Sequence, residues 1–161
     1  MTEPALNIPI LSTETAFDAA AVARVVAAAF GPGRYAKTAE RLREGSAPQI
    51  GFVMRGEAGV VGSVRLWPVR IGETAAAFLG PIAVDRVWRE AGLGASLVEA
   101  CLAWARNEGL PGVLLVGDLP FFGRFGFVQA QGVILPGPVD PARVLWLSLG
   151  GSAPMGAVRI G

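Results

Sequence analysis

Arg89-Glu90-Ala91-Gly92-Leu93-Gly94-Ala95 is the stretch on which the fold turns. It lies between an apolar β-type run and a long amphipathic helix, so its glycines fall where a helix begins. The first backbone N–H groups of a helix are unpaired and sit at the positive end of its macrodipole, which lets a phosphate be held there without a dedicated cation. Glycine allows a ligand to approach the backbone closely, and Arg86 and Arg89 put positive charge beside the turn. Taken alone, a G-x-G more often makes a tight turn than a binding site, so its neighbours decide. A dinucleotide fingerprint needs the glycines directly after a strand, a small residue at position 97 and an acid about twenty residues later. The chain has Leu97, and Leu114 and Leu115 occupy that later region. A P-loop needs Gly-Lys-Ser/Thr, which is absent. A Rossmann cofactor and a nucleoside triphosphate are both disfavoured.

Downstream, Leu93, Leu97, Val98, Cys101, Leu102 and Ala105 form one face of a helix over 92–108, ended by Gly109 and Pro111. Val113 to Val116 reads as a buried strand, and strand–helix–strand in this order implies a right-handed crossover between parallel strands. Upstream, Glu73 to Val84 is an apolar run interrupted by Gly80-Pro81. Proline cannot donate to a ladder, so a bulge or a local separation of strands is expected there. Ile50 to Met54 and Val60 to Trp67 read as an antiparallel hairpin turned at Gly56-Glu57-Ala58-Gly59. Before them, Ala16 to Phe30 carries helical spacing capped near Ser12 or Thr13 and ended by Gly31-Pro32-Gly33, and a more polar helix is expected over 36–44. Two further β-type segments fall at Phe127 to Ala130 and Val144 to Leu149, and the glycine-rich tail could end in an edge strand at Ala157 to Ile160. The fold class predicted is α/β, of the α+β kind, in a single domain over 1–161.

The 161 residues are 52% hydrophobic, ample for one core, and 14 basic against 13 acidic residues leave a net charge of +1. That balance disfavours a nucleic-acid partner. A single cysteine cannot close an internal disulfide, and the absence of histidine removes the commonest metal ligand together with the usual acid/base residue. No metal is expected. Residues 1–10 lack a positive leader and an apolar run, so they do not read as a signal peptide. Thr74 to Val84, the longest apolar stretch, falls well short of the ~20 residues that span a bilayer. A cytoplasmic protein without a membrane partner is the expectation.

With these elements in place, the chain resembles the GNAT superfamily of N-acetyltransferases. Arg89, Gly92 and Gly94 match its phosphate-binding motif Gln/Arg-x-x-Gly-x-Gly/Ala. Leu79-Gly80-Pro81-Ile82-Ala83-Val84 looks like the bulged fourth strand of that family, and Gly117-Asp118-Leu119-Pro120-Phe121-Phe122-Gly123-Arg124-Phe125-Gly126-Phe127 is similar to its segment after the fifth. The resemblance covers about Phe78 to Phe127. It implies a mixed, mostly antiparallel sheet splayed between its fourth and fifth strands, flanked by helices, with acetyl-CoA lodged in the opening. Backbone groups of Ile82, Ala83 and Val84 would then meet the pantetheine arm. Arg89 and Glu90 would open the pyrophosphate turn, and amides from Ala91, Gly92, Leu93, Gly94 and Ala95 would cradle it. Asp118, Phe121, Phe122 and Arg124 would flank the far side.

The implied reaction moves the acetyl group of acetyl-CoA directly to a primary amine of a small molecule or peptide. An alkyl ammonium is almost wholly protonated at neutral pH, so a base is required; the candidates are Asp85 and Glu73, each acting through water. In many relatives a tyrosine four residues before the Gly-Phe pair protonates the departing thiolate. Here that position holds Phe122, and the only tyrosine is Tyr35. A coenzyme-binding module with weakened catalysis is therefore the alternative. Tyr35 and Trp67 are candidates for an acceptor pocket, Cys101 reads as core, and Arg34, Arg43 and Arg55 read as surface charges. Dimers are frequent in the family, and the tail strand could serve one.

Overall fold

The computed structural model describes residues 8–161. Most of the stretch read for a leader, residues 1–7, lies outside them. Chain entry is a short strand, β1 (Ile10–Thr13), which pairs antiparallel with β2 (Ile50–Gly56), Ser12 opposite Val53. This corrects the expected cap. Ser12 Oγ accepts from Arg55 Nε at 2.8 Å, so it serves a strand contact. Helix entry falls instead at Thr15, whose N–H donates to Asp18 Oδ2 at 2.8 Å ahead of a 3-10 turn (Ala16–Asp18) and α1 (Ala19–Phe30). The polar helix expected over 36–44 is likewise corrected. Pro32–Ala36 and Thr38–Leu42 are two 3-10 turns broken at Lys37, which is extended at φ −77°, ψ 145°. Their side chains bond to other parts of the chain: Thr38 Oγ1 donates to Pro138 O, and Arg41 Nη1 donates to Pro136 O at 2.6 Å.

The hairpin forms as expected, joining β2 to β3 (Gly59–Ile71). β3 is the long strand on which the sheet is assembled. It pairs antiparallel with β4 (Thr74–Leu79) from Ile71↔Thr74 to Leu66↔Leu79, then with β5 (Ala83–Val84) at Ser63↔Ala83 and Gly62↔Val84. From Leu66 to Ser63 is three residue steps, whereas from Leu79 to Ala83 is four. One extra residue on one strand is a bulge, and it falls at Gly80-Pro81, whose peptide bond is cis.

After α2 (Leu93–Asn107) comes β6 (Gly112–Val116), parallel to β4 at Ala77↔Val113 and Phe78↔Leu114. A short helix, α3 (Leu119–Phe122), leads to β7 (Val128–Gln129), β8 (Val133–Ile134), β9 (Val144–Ser148) and β10 (Gly156–Ile160). The sheet order is β1-β2-β3-β4-β6-β9-β7. β10 is not a free edge: it pairs antiparallel with β3 and parallel with β8. β8 went unread because Val133 and Ile134 are too short a run to carry a period.

The six apolar residues named for α2 are its buried face. They pack on Val64, Leu66, Ala77 and Leu79, and each fully buried aliphatic side chain contributes about 1.5–3 kcal/mol of transfer free energy. The opposite face of the sheet is covered in two parts. Leu42 packs with Trp67, Phe78 and Trp146, while Val22, Val25 and Val26 of α1 pack on Val53, Val60 and Ala83.

Candidate active site

β4 and β6 run side by side only as far as Phe78↔Leu114. Beyond that, each is drawn to a different neighbour. Gly80 N–H donates to Arg65 O at 2.9 Å and Gly80 O accepts from Trp67 Nε1 at 2.5 Å, which binds the bulge to β3. β6 continues against β9, with Leu115↔Leu145 and Val116↔Val144. Two strands pulled apart in this way leave a cleft of about 610 Å3, walled by Leu79, Gly80, Pro81 and Ile82 on one side and by Leu115, Val116, Gly117 and Asp118 on the other.

Alternation of backbone groups decides what the cleft presents. Asp85 N–H donates to Val61 O at 2.8 Å, so in an antiparallel pair the polar groups of Ala83 and Asp85 point toward β3. Those of Ile82 and Val84, one residue out of phase, point toward the opening. Phe122 is 7% exposed and lines the cleft. Its ring packs edge-on against Phe121 and Phe127, with centroids 4.8 and 5.8 Å away.

The start of α2 lies beside this opening. Gly92 takes the left-handed conformation that only glycine adopts cheaply, φ +79°, and the amides that follow have no i−4 partner within the helix. Gly94 faces α3: a Cβ placed on it would stand 3.6 Å from Phe121 Cζ. Arg124 lies over that same ring at 4.6 Å. Arg89 Nε donates to Val84 O at 3.4 Å, tying the turn to the cleft strand. Ala91 and Glu90 are exposed. Asp118 forms an ion pair with Arg143 at the cleft rim.

Other residues named from the sequence fall elsewhere. Glu73 stands at the far end of β4 from the bulge, its side chain 94% exposed. Asp85 precedes the 3-10 turn Arg86–Ala91 and accepts there from Trp88 N–H at 2.9 Å through its carbonyl. Tyr35 is 60% exposed, with the Arg34 guanidinium 4.3 Å from its ring centroid. Trp67 is buried behind Gly80. Cys101 is core as read, and burial pushes its thiol up to about 12.

The reading of Arg34 and Arg43 as surface charges is corrected, whereas the Arg55 side chain is 40% exposed. Arg34 and Arg43 have side chains only 18% and 12% exposed and share Glu40, while Arg55 grips Asp18 through two bonds of 2.7 Å. Burial pulls the Arg43 proton affinity down and Glu40 opposes the shift. The i,i+3 spacing of Glu40 and Arg43 was the only sequence signal for this cluster, and it signals an exposed pair equally well.

Comparison with known proteins agrees with this geometry. The Acetyltransferase (GNAT) family matches residues 20–127. The uncharacterized N-acetyltransferase YhbS of Escherichia coli K12 is 30% identical over 124 residues, 75% of this chain and 74% of that protein. The crystal structure of Escherichia coli YhbS in complex with CoA superposes with a TM-score of 0.80 at 27% identity, covering 100% of this chain and 93% of the other. A GNAT family acetyltransferase from Brucella melitensis in complex with acetyl-CoA gives 0.75 at 29% identity, with 95% and 96% covered. The chain belongs to the GNAT acetyltransferase family. That membership makes it an acetyltransferase with acetyl-CoA as its cofactor. The residues present fit such a cofactor, because the cleft is open between the parted strands and no side chain stands within van der Waals contact of the Gly92 Cβ position.

Proposed function

We propose that the chain transfers an acetyl group from acetyl-CoA to the primary amine of a small molecule or peptide, directly and without a covalent enzyme intermediate. The observation that carries this reading is the divergence of β4 and β6 beyond Phe78↔Leu114, which opens a cleft lined by Ile82, with the polar groups of Val84 also directed away from β3. Bound acetyl-CoA supplies an activated acetyl group. Overall, the amine loses one proton and gains the acetyl, and the coenzyme departs as free thiol.

In this reading the outward polar groups of Ile82 and Val84 hold the amide-rich arm as an added strand would be held, and Ala83 between them is fixed by its pairing with β3. The Ile82 or Val84 N–H donates to the acetyl oxygen as it gains charge. Amides of Ala91 to Ala95 take the diphosphate, with Arg89 beside them and Glu90 in the same turn, and Asp118, Phe121, Phe122 and Arg124 close the far wall. Asp85, next to Val84, takes the amine proton through water; Glu73 is too far along β4 to share that role. Residues 1–161 are read as one acetyltransferase domain, supported by the joining of all ten described strands in a single sheet. The test is release of free thiol from acetyl-CoA against a broad amine panel. Thiol should appear with some amine and not without one; coenzyme binding without release from any amine would overturn the enzymatic reading.

One feature favours a second reading, a coenzyme-binding module with weak catalysis. The buried ring of Phe122 offers no proton where many relatives carry a tyrosine. A thiol of reference pKa near ~8.5 leaves tolerably without help, so activity is expected to be reduced rather than lost. Phe122→Tyr should raise kcat about a hundredfold or more, the lower end of the usual range for general acid catalysis. An unchanged kcat would mean that the leaving group is managed in another way.

A further inference from the structure

Behind Pro81, on the face of the sheet that carries α1, lies a second cavity of about 300 Å3. Arg34, Glu40, Arg43, Ser63, Arg65 and Trp67 contribute polar or aromatic groups to it, and Arg34, Arg43 and Pro81 also line the cleft. The two spaces therefore adjoin where an acetyl group on the cleft strand would have to be met.

The charges in this cavity are not balanced. Arg65 is fully matched, since Glu14 accepts from its Nε at 3.0 Å and its Nη2 at 2.7 Å. Arg34 and Arg43 instead share one carboxylate oxygen, Glu40 Oε2, at 3.5 and 3.1 Å. Two guanidinium groups thus face one carboxylate at a site where all three side chains are largely buried. In addition, Arg43 Nε and the hydroxyl of Ser63, a residue only 1% exposed, are buried without a hydrogen-bond partner. Buried cations and polar groups without partners are costly. A purely structural ion cluster would be completed by the protein itself, whereas this one lacks one negative charge and oxygen acceptors beside a cavity.

We infer that the acceptor is a small amine that also carries a carboxylate, seated against Arg43, Arg34 and Ser63 with its amine directed past Pro81 into the cleft. A carboxylate supplies both the missing charge and acceptors matched to a guanidinium fork. The volume suits a molecule of amino-acid size, at the small end of ligand pockets. Glu40 is a positioning residue that holds the two guanidinium groups in place. This inference rests on the acetyltransferase reading above.

The experiment measures kcat/KM for thiol release with α- and ω-amino acids, each paired with its own carboxamide. The acid of the preferred pair should exceed its carboxamide about 100-fold or more, as expected where buried polar groups are left unmatched. Arg43→Gln should reduce that ratio at least about tenfold. Ser63→Ala, a gentler change that removes an unpartnered hydroxyl, should lower the same ratio while leaving the melting temperature unchanged or raised. A merely structural role would depress acid and carboxamide alike. Equal turnover of acids and carboxamides, or a ratio that neither variant moves, overturns the inference and leaves the acetyltransferase reading standing. If CoA binds but no amine is turned over, saturation-transfer NMR of the N-acetylated acids on the CoA complex decides. Binding that Arg43→Gln abolishes supports the carboxylate seat, and no binding overturns it. Failure of CoA itself to bind overturns both readings together.

Discussion

Asp18 joins three parts of the chain through a single carboxylate. It accepts from the Thr15 amide at the entry to α1 and from both terminal nitrogens of Arg55 on β2, whose Nε reaches Ser12 on β1. The Arg55 bonds, followed by the Thr15 amide, hold the Asp18 carboxyl well below the usual carboxylate range. A folded-state pKa below the unfolded value means that the stabilisation is complete above the unfolded pKa, near ~3.9, and is lost as pH falls further toward the folded value. Asp18→Asn should therefore lower the melting temperature at pH 7, and its deficit should shrink only below about pH 4. A deficit that persists undiminished at pH 2 would show that the contacts act through shape and not charge. None of this could be read from Asp18 in isolation, because Arg55 lies 37 positions from Asp18 and 43 from Ser12, and only the folded chain brings the three together. Arg34 and Arg43 were misread for the same reason: a local i,i+3 spacing does not reveal burial.

At the level of elements, the start of α2 was the most legible part of the chain. Glycine at 92 and 94, the amphipathic face from Leu93 to Ala105 and the Gly109 stop are all local signals, and the helix lies where they put it. That local character makes the site testable without harming the fold. Gly94→Glu replaces a poor helix former with a good one, a gain of up to about 1 kcal/mol. It also places a carboxylate where a diphosphate would sit, beside the Phe121 ring. Coenzyme affinity should fall at least about 100-fold, equivalent to about 2.7 kcal/mol, with the circular dichroism spectrum and melting temperature retained. Unchanged affinity in calorimetry would refute the placement of the diphosphate. The elements around α1 were less legible. Ser12 and Thr13 are good cap residues, but they pair in β1, and the polar segment over 36–44 becomes two 3-10 turns held by Pro136 and Pro138 nearly a hundred positions away.

For the whole molecule, the cleft is held open by competition among strands: β3 takes the bulge and β5, and β9 takes β6. A coenzyme that binds this folded arrangement and not the unfolded chain stabilises it by mass action, by about 2.7 kcal/mol at a hundredfold excess over Kd. For a chain of this size that corresponds to a rise of about 5–10 °C in Tm. Thermal unfolding with acetyl-CoA and with CoA measures this directly, and no shift with either at millimolar concentration would remove the cleft as a coenzyme site. By itself the sequence determined the β2–β3 hairpin, the bulge at Gly80-Pro81, the buried face of α2 and the glycine turn that opens it, because each depends on local periodicity, on a missing amide hydrogen or on glycine's backbone freedom. Only the tertiary structure decided that β10 is an inner strand paired with β3 and β8, that Arg34 and Arg43 are buried on one carboxylate, and that a second cavity adjoins the cleft. Those features arise from contacts between residues distant in the chain, and no local pattern encodes which of them will meet.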